Sequence, residues 1–484
     1  MFHNDMKKVL LVISNSRWHE KRPWLTSPHS ALILTALLKK DFNFSIIDAN
    51  GLNLSEVECQ LRIQKHNPDV ILISALSVEY HKQAHTTLAL AKKASPNAIT
   101  VIGGVYPTVL GEEVLKDTNV DYIFIGHAEE RIVNFIQQID DKGDIYDLPG
   151  IGFRTATGAT RINPVRSYIG DVKKLVKPDY SLLDLEPYWD WKQHDHQMNS
   201  SVRSAQIITT YGCPYNCVFC ATRTISGKGV AIRPVEDVLE EIEFLISMYH
   251  IKSLSFQDDL FLAKRSRVEE ILKAFIDRNY GLTWNSSASS WHLDDELLVL
   301  IQKSGCRLLT MSVESGCQRV LKEVIHKPLK LDTIPPIVRK CRELGIDIVA
   351  NFVIGFPGET WDELRETFRF AEKCNFDLAH FHIATPLPNT DLYSIAKEQN
   401  LLPEDFSFLG DKYFGFGGAF ITTEEFTPEQ LMILRSYEWD RINFSSPQKI
   451  EKATKLYHLT LAELKDHRRQ TIKKAGIHLA THEE

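Results

Sequence analysis

The chain has 484 residues, enough for two or three domains, because single hydrophobic cores stop growing at roughly 250–300 residues. Lysine plus arginine number 56 against 63 aspartate plus glutamate, and the net charge of −7 gives no overall positive field for nucleic acid or an anionic membrane. The eight cysteines follow no disulfide framework, the apolar run at 9–13 is too short for a signal-peptide core, and no apolar stretch reaches the length of a membrane span. A cytoplasmic protein with reduced thiols and a small-molecule substrate is expected, with peripheral membrane contact left open.

Strand-like apolar runs are expected at residues 9–14, 44–48, 70–74, 100–102 and 122–125, separated by helical patterns at 31–40, 56–65, 80–93 and 113–116. Strands apolar throughout and spaced by helices predict a parallel sheet covered on both faces, a doubly wound α/β domain over residues 1–142. Ligands of such sheets sit over the carboxyl ends of the strands. The loops there read Ser74-Ala75-Leu76-Ser77, Gly103-Gly104-Val105-Tyr106-Pro107-Thr108 and Gly126-His127-Ala128-Glu129. Paired glycines let the backbone approach a bulky ligand, although a lone pair suits a tight turn better. With its small and hydroxyl-bearing neighbours, the set resembles the flavodoxin-like cobalamin-binding domains at the front of many radical S-adenosylmethionine (SAM) proteins. That resemblance implies cobalamin contacts from Ser74, Ser77, Gly103, Gly104, Pro107, Thr108, Gly126 and Glu129. The Asp-x-His-x-x-Gly motif that puts a histidine under cobalt is absent, so the resemblance implies cobalamin with its own base displaced. His19 and His127 read as loop residues, and a domain that kept the fold but lost the cofactor is the alternative.

Residues 143–204 hold Pro149, Gly150, Gly158, Pro164, Gly170, Pro178 and Pro187 beside Tyr180, Tyr188, Trp189 and Trp191, a mixture too apolar for a flexible linker. An ordered connector is expected there, with His194-Asp195-His196 as a solvated loop. A short strand then runs into Gly212-Cys213-Pro214-Tyr215-Asn216-Cys217-Val218-Phe219-Cys220. Three thiolates at CxxxCxxC spacing suit a soft metal centre and leave one iron of a four-iron cluster without a protein ligand. Structural zinc would want a fourth Cys or His close by, and a redox CxxC leaves Cys213 unexplained. The loop resembles the cluster loop of radical SAM enzymes, including the aromatic Phe219.

Beyond it, an amphipathic helix opening at Arg233-Pro234 and strand-like runs at 253–257, 282–286, 308–313, 346–354 and 378–383 make six βα units over residues 205–400. They suggest the open partial (βα)6 barrel of radical SAM enzymes, active at the carboxyl ends of its strands. Asp258 and Asp259 follow the second strand, and the resemblance gives them the SAM amino group, with Asp258 preferred. Glu314 after the fourth strand, and Asn351 and Gly355 in Asn351-Phe352-Val353-Ile354-Gly355-Phe356-Pro357-Gly358-Glu359-Thr360, resemble further SAM contacts, with Glu359 read as the start of a helix. A carboxylate after a strand is equally often a helix cap. Residues 401–484 read as a Gly/Phe-rich loop, Phe414 to Phe420, that closes over substrate, and two helices begun by Thr427-Pro428 and Ser446-Pro447.

Taken together the chain resembles the class B radical SAM methyltransferase and BchE-like superfamily. The resemblance implies three cofactors, a [4Fe-4S] cluster on Cys213, Cys217 and Cys220, SAM and cobalamin, with an external electron donor such as flavodoxin or ferredoxin. It implies radical formation from SAM and methylation of an unactivated carbon, or phosphorus, of a small metabolite, lipid or natural-product intermediate. A cyclase or rearranging enzyme without net methyl transfer is the alternative, and a non-catalytic cobalamin or metal sensor is a third. Substrate and oligomeric state are not encoded legibly.

Overall fold

A computed structural model describes residues 6–21, 23–129, 131–139, 145–165, 175–189, 202–410 and 418–475. The chain forms two compact units, residues 1–191 with 222–237 and residues 192–221 with 238–484. The His194-Asp195-His196 segment and positions 414–417 of the Gly/Phe-rich loop lie outside the described residues.

In the first unit β1 (Lys8–Ile13), β2 (Asn43–Asp48), β3 (Val70–Ser74), β4 (Ile99–Gly103) and β5 (Tyr122–Phe124) pair in parallel in the order 2-1-3-4-5. Val9, Leu10, Leu11 and Val12 of β1 are all buried, as a strand covered on both faces must be. The helices are α1 (His29–Leu38), α2 (Glu56–His66), α3 (His81–Ala94), α4 (Val105–Val114) and α5 (Ile132–Gln138). Ser55 and Glu58 form a reciprocal capping box on α2, worth roughly 1 kcal/mol. Two antiparallel strands that the sequence did not announce, β6 (Ile151–Arg154) and β7 (Thr160–Ile162), extend the sheet beyond β5.

The expected helix at 113–116 is instead the end of α4, which starts directly after Gly104 and takes Val105 to Thr108 into its first turns. Pro107 is tolerated there because early helical N–H groups have no partner within the helix. Gly104 has φ +101°, and a Cβ on it would stand 2.5 Å from the Ala75 carbonyl oxygen. The glycine is therefore required by the close approach of two strand ends, and not only by a ligand. Gly104→Ala should cost about 2–4 kcal/mol from backbone strain and overlap combined. Urea unfolding would measure this, and a loss under about 0.5 kcal/mol would refute the account.

In the second unit β8 (Ser204–Ile207) precedes the two-residue β9 (Thr210–Tyr211). Next come α6 (Thr222–Ser226) and β10 (Ala231–Ile232), which belong to the first unit, and α7 (Val235–Tyr249), which runs across the division. The remaining strands, β11 (Ser253–Phe256), β12 (Thr283–Ala288), β13 (Cys306–Glu314), β14 (Asp347–Ile354) and β15 (Leu378–Ile383), join β8 in one parallel sheet of order 8-11-12-13-14-15. Helices α8 (Arg265–Asp277), α9 (Asp295–Lys303), α10 (Ile334–Glu343) and α11 (Trp361–Cys374) connect them, and α12 (Asp391–Glu398) follows the last strand. This is the open six-unit βα arrangement expected, with the strand ends gathered on one side.

Three helices close the described chain, α13 (Pro428–Asn443), α14 (Pro447–Tyr457) and α15 (Leu461–Lys474), where two were expected. Thr427 and Gln430 form the anticipated capping box, Ser446 caps α14, and Thr460 with Glu463 caps the unforeseen α15. Asn443 of α13 accepts from the Ala379 N–H at 2.7 Å and donates to its carbonyl at 2.8 Å. These two bonds satisfy the Ala379 backbone on the open edge of β15, where unpaired groups would otherwise invite another strand.

Candidate active site

The cysteine loop is held by backbone bonds that do not involve sulfur. Both oxygens of the buried Asp258 are engaged at the end of β8. Oδ1 accepts from Thr210 N at 2.8 Å and from Thr209 N, and Oδ2 accepts from the Thr209 hydroxyl at 2.6 Å. Burial pushes the Asp258 carboxyl up to about 6, against the pull of those hydrogen bonds. Asp259 lies exposed beside it, and its Oδ2 takes the Gly212 N–H at 2.7 Å. Deeper in the loop, Val218 N donates to Ile325 O at 3.1 Å, and Val218 O accepts from Leu392 N at 2.9 Å. The loop is thus pinned from three places: the end of β11, the helical turn at 320–325 beyond β13, and the start of α12.

On this frame Cys213, Cys217 and Cys220 are half-exposed, whereas Cys59, Cys306, Cys317, Cys341 and Cys374 are buried. Burial pushes the Cys217 thiol up to about 12, and Lys327 is the strongest influence in the opposite direction. Burial also raises the Cys213 thiol. Among the described residues no three His, Cys, Asp or Glu side chains converge on a single-ion site. Three half-exposed thiols on one short loop fit a four-iron cluster, in which each thiolate takes a different iron.

Around the loop stand the other residues singled out from the sequence. Phe219 lies 5.7 Å from Phe356 between ring centroids. Glu314 ends β13 at a register shift, with φ +69°, and its Oε1 accepts from Lys327 Nζ at 2.9 Å. Asn351 is half-buried on β14, opposite Ser312 and His380 in the adjoining strands. Gly355 has φ +86° and donates its N–H at 2.7 Å to Glu359 Oε2, which also accepts from Phe356 N at 3.1 Å. Glu359 is a buried clamp on that turn and does not begin a helix, because α11 starts at Trp361 with Thr360 as its cap.

Sequence reasoning missed four neighbours: Lys327, Trp291, Tyr215 and Arg267. The buried Arg267 guanidinium reaches Thr209 O at 3.3 Å and draws the Asp258 carboxyl downward. A lone lysine, arginine or tryptophan carries no spacing signal.

In the first unit the predicted cobalamin residues gather at the carboxyl ends of β3, β4 and β5. Ser74 Oγ meets Ser30 Oγ at 3.0 Å, and Ser77 Oγ accepts from Glu79 N at 3.1 Å. The Thr108 hydroxyl donates to Gly104 O at 2.7 Å and accepts from Gly126 N at 2.9 Å, tying the β4 and β5 loops together. Burial opposes ionisation of Glu129, but the His127 ring 3.6 Å away holds its carboxyl below the ordinary value. His127 also meets Ser226 Oγ at 3.3 Å, and His19 meets Thr86 Oγ1 at 2.9 Å, so both rings have protein partners. The ledge of mostly small groups, with Leu76 exposed on it and Glu129 as its charged member, suits the broad face of a corrin.

Residues 207–371 match the Radical SAM superfamily and residues 24–136 the B12 binding domain. Cytidylyl-2-hydroxyethylphosphonate methyltransferase from Streptomyces wedmorensis is 28% identical over 367 residues, which are 70% of this chain and 68% of that protein. The anaerobic magnesium-protoporphyrin IX monomethyl ester cyclase of Rubrivivax gelatinosus is 27% identical over 354 residues, 72% of this chain but only 62% of the cyclase. The solved structure of the cobalamin-dependent S-adenosylmethionine radical enzyme OxsB aligns at TM-score 0.74 over 96% of this chain and 72% of its own, a likeness of fold at 15% identity. No helix among the described residues is long and apolar enough to cross a membrane.

Proposed function

We propose, from the premise that this chain is a cobalamin-binding radical SAM enzyme, that it transfers a methyl group to an unactivated carbon or phosphorus of a small metabolite, lipid or natural-product intermediate. The observation that carries the reading is the trio of half-exposed thiols on a loop locked by Asp258, Asp259 and Val218, ahead of an open βα barrel. When bound, the cluster and its two organic partners supply the electron, the radical and the cobalt-carried methyl group. The protein's own residues bind and orient. Cys213, Cys217 and Cys220 would hold the cluster that activates SAM. Asp259, exposed where Asp258 is buried, receives the SAM amino group, while Asp258 fixes the strand end beneath it. Phe219, Glu314, Asn351 and Gly355 line the rest of the SAM site. Ser74, Ser77, Gly103, Gly104, Pro107, Thr108, Gly126 and Glu129 would cradle cobalamin. A flavodoxin or ferredoxin supplies electrons in the cytoplasm, where thiols stay reduced.

Likeness to the cyclase favours one second reading, ring formation with no net methyl transfer. Anaerobic reconstitution with iron, sulfide and cobalamin, then SAM and dithionite, separates them. The methyltransferase yields both 5′-deoxyadenosine and S-adenosylhomocysteine, and a cyclase yields only the first. Formation of neither would overturn both readings.

A further inference from the structure

We infer that Lys327 sets the reduction potential of the cluster held by Cys213, Cys217 and Cys220, as a positioning residue whose buried positive charge is aimed at the cysteine loop. The inference rests on the cluster assignment above. Lysine is almost never fully buried unless paired, and the Lys327 side chain is 7% exposed. Its Nζ donates to Glu314 Oε1 at 2.9 Å and stands 5.5 Å above the Trp291 ring. Trp291 in turn donates from Nε1 to the Tyr215 hydroxyl at 2.9 Å, with the two rings packed edge to face at 5.2 Å. Tyr215 lies between the first two cysteines. A second tether is independent of the first, for Val218 N bonds Ile325 O, two residues before the lysine. The ammonium is therefore fixed to the loop through a side-chain chain and through the backbone.

A lysine–glutamate pair is neutral at a distance, but not to groups that face one end of it. The lysine end is the one against the Trp291 ring, which Tyr215 ties to the cysteine loop, and it follows the Val218–Ile325 backbone bond by two residues. Taking both charges out of water is costly, so the pair is a poor device for stability alone. Reduction of the cluster adds one negative charge, taken from a low-potential one-electron donor that is oxidised by the same electron. A fixed cation nearby favours the reduced form, because cluster potential follows net local charge and low-dielectric Coulomb energy.

The test is an EPR-monitored redox titration of the reconstituted full chain without SAM, with iron and sulfide counted per chain. Lys327→Met should shift the one-electron equilibrium about tenfold toward the oxidised cluster, which is 59 mV. Lys327→Arg should return it to within about twofold of the parent. Glu314→Gln, which leaves the cation without its counter-charge, should shift it the other way. A fully loaded Lys327→Met cluster at the parent potential overturns the inference, as does a variant that only binds SAM more weakly. If Lys327→Met fails to load, Glu314→Gln decides, and no rise in its potential overturns the inference. A parent chain that takes up no cluster would instead sink the cluster assignment itself.

Discussion

A chain with Cys213, Cys217 and Cys220 all changed to alanine should fold, bind no iron–sulfur cluster and make no 5′-deoxyadenosine above a no-enzyme control. Folding survives because the loop is held by Asp258, Asp259 and the backbone of Val218, none of which needs a thiol. The three sulfurs are half-exposed, and such substitutions usually change stability by only about 0.5 kcal/mol each. Cys341→Ala should give the opposite pattern. That side chain is fully buried behind β14, so its loss costs about 1–2 kcal/mol while iron content is unchanged. Iron and sulfide analysis with thermal melts would read both effects. Iron retained by the triple variant, or an intact melt in Cys341→Ala beside lost iron, would refute the division of labour between the two cysteine classes.

Legibility followed the strength of local signals. Continuous apolar runs such as Val9 to Ile13, and 70–74, marked the five parallel strands of the first sheet to within a residue at either end, because a strand buried on both faces has no polar alternation to confuse its limits. Cap chemistry was equally readable at Thr427 and Ser446. The β6 and β7 hairpin escaped notice because β7, Thr160–Ile162, is short and largely exposed, and its turn residues resemble a linker. The first turns of α4 were read as loop because Gly103-Gly104 and Pro107 look like breakers, whereas Gly104 ends the strand approach and Pro107 sits where a helix tolerates proline.

At the site, the cysteines declared themselves by spacing, and the carboxylates by position after strands. Their division of labour did not. Asp258 and Asp259 are adjacent and identical in type, yet one is consumed by Thr209 and Thr210 while the other is exposed. Lys327 became visible only when the turn after β13 folded back onto the loop.

Removing the Glu359 side chain should destabilise the protein near pH 5, where the carboxyl is neutral, and converting it to glutamine should abolish a fall in stability on the alkaline side. Its Oε2 accepts from the buried N–H groups of Gly355 and Phe356. Glu359→Ala orphans both, at about 1–3 kcal/mol each. Its Oε1 is buried with no hydrogen-bond partner, and burial raises the carboxyl from 4.5 to about 8. Between those values the folded chain keeps a proton that the unfolded chain has released. Stability from this group is therefore full below about pH 4.5 and lost as pH rises through 8, in total on the order of 5 kcal/mol. Glutamine keeps the acceptor for both N–H groups and cannot ionise. Melting temperatures of the parent and Glu359→Gln should run together below about pH 4.5, diverge progressively between about pH 5 and 8, and stay apart above that, with the variant more stable. A constant difference across that range would show that Glu359 ionises normally. Because the clamped turn also carries Phe356 against Phe219 of the cysteine loop, Glu359→Ala should weaken SAM binding as well, and Glu359→Gln should leave it intact.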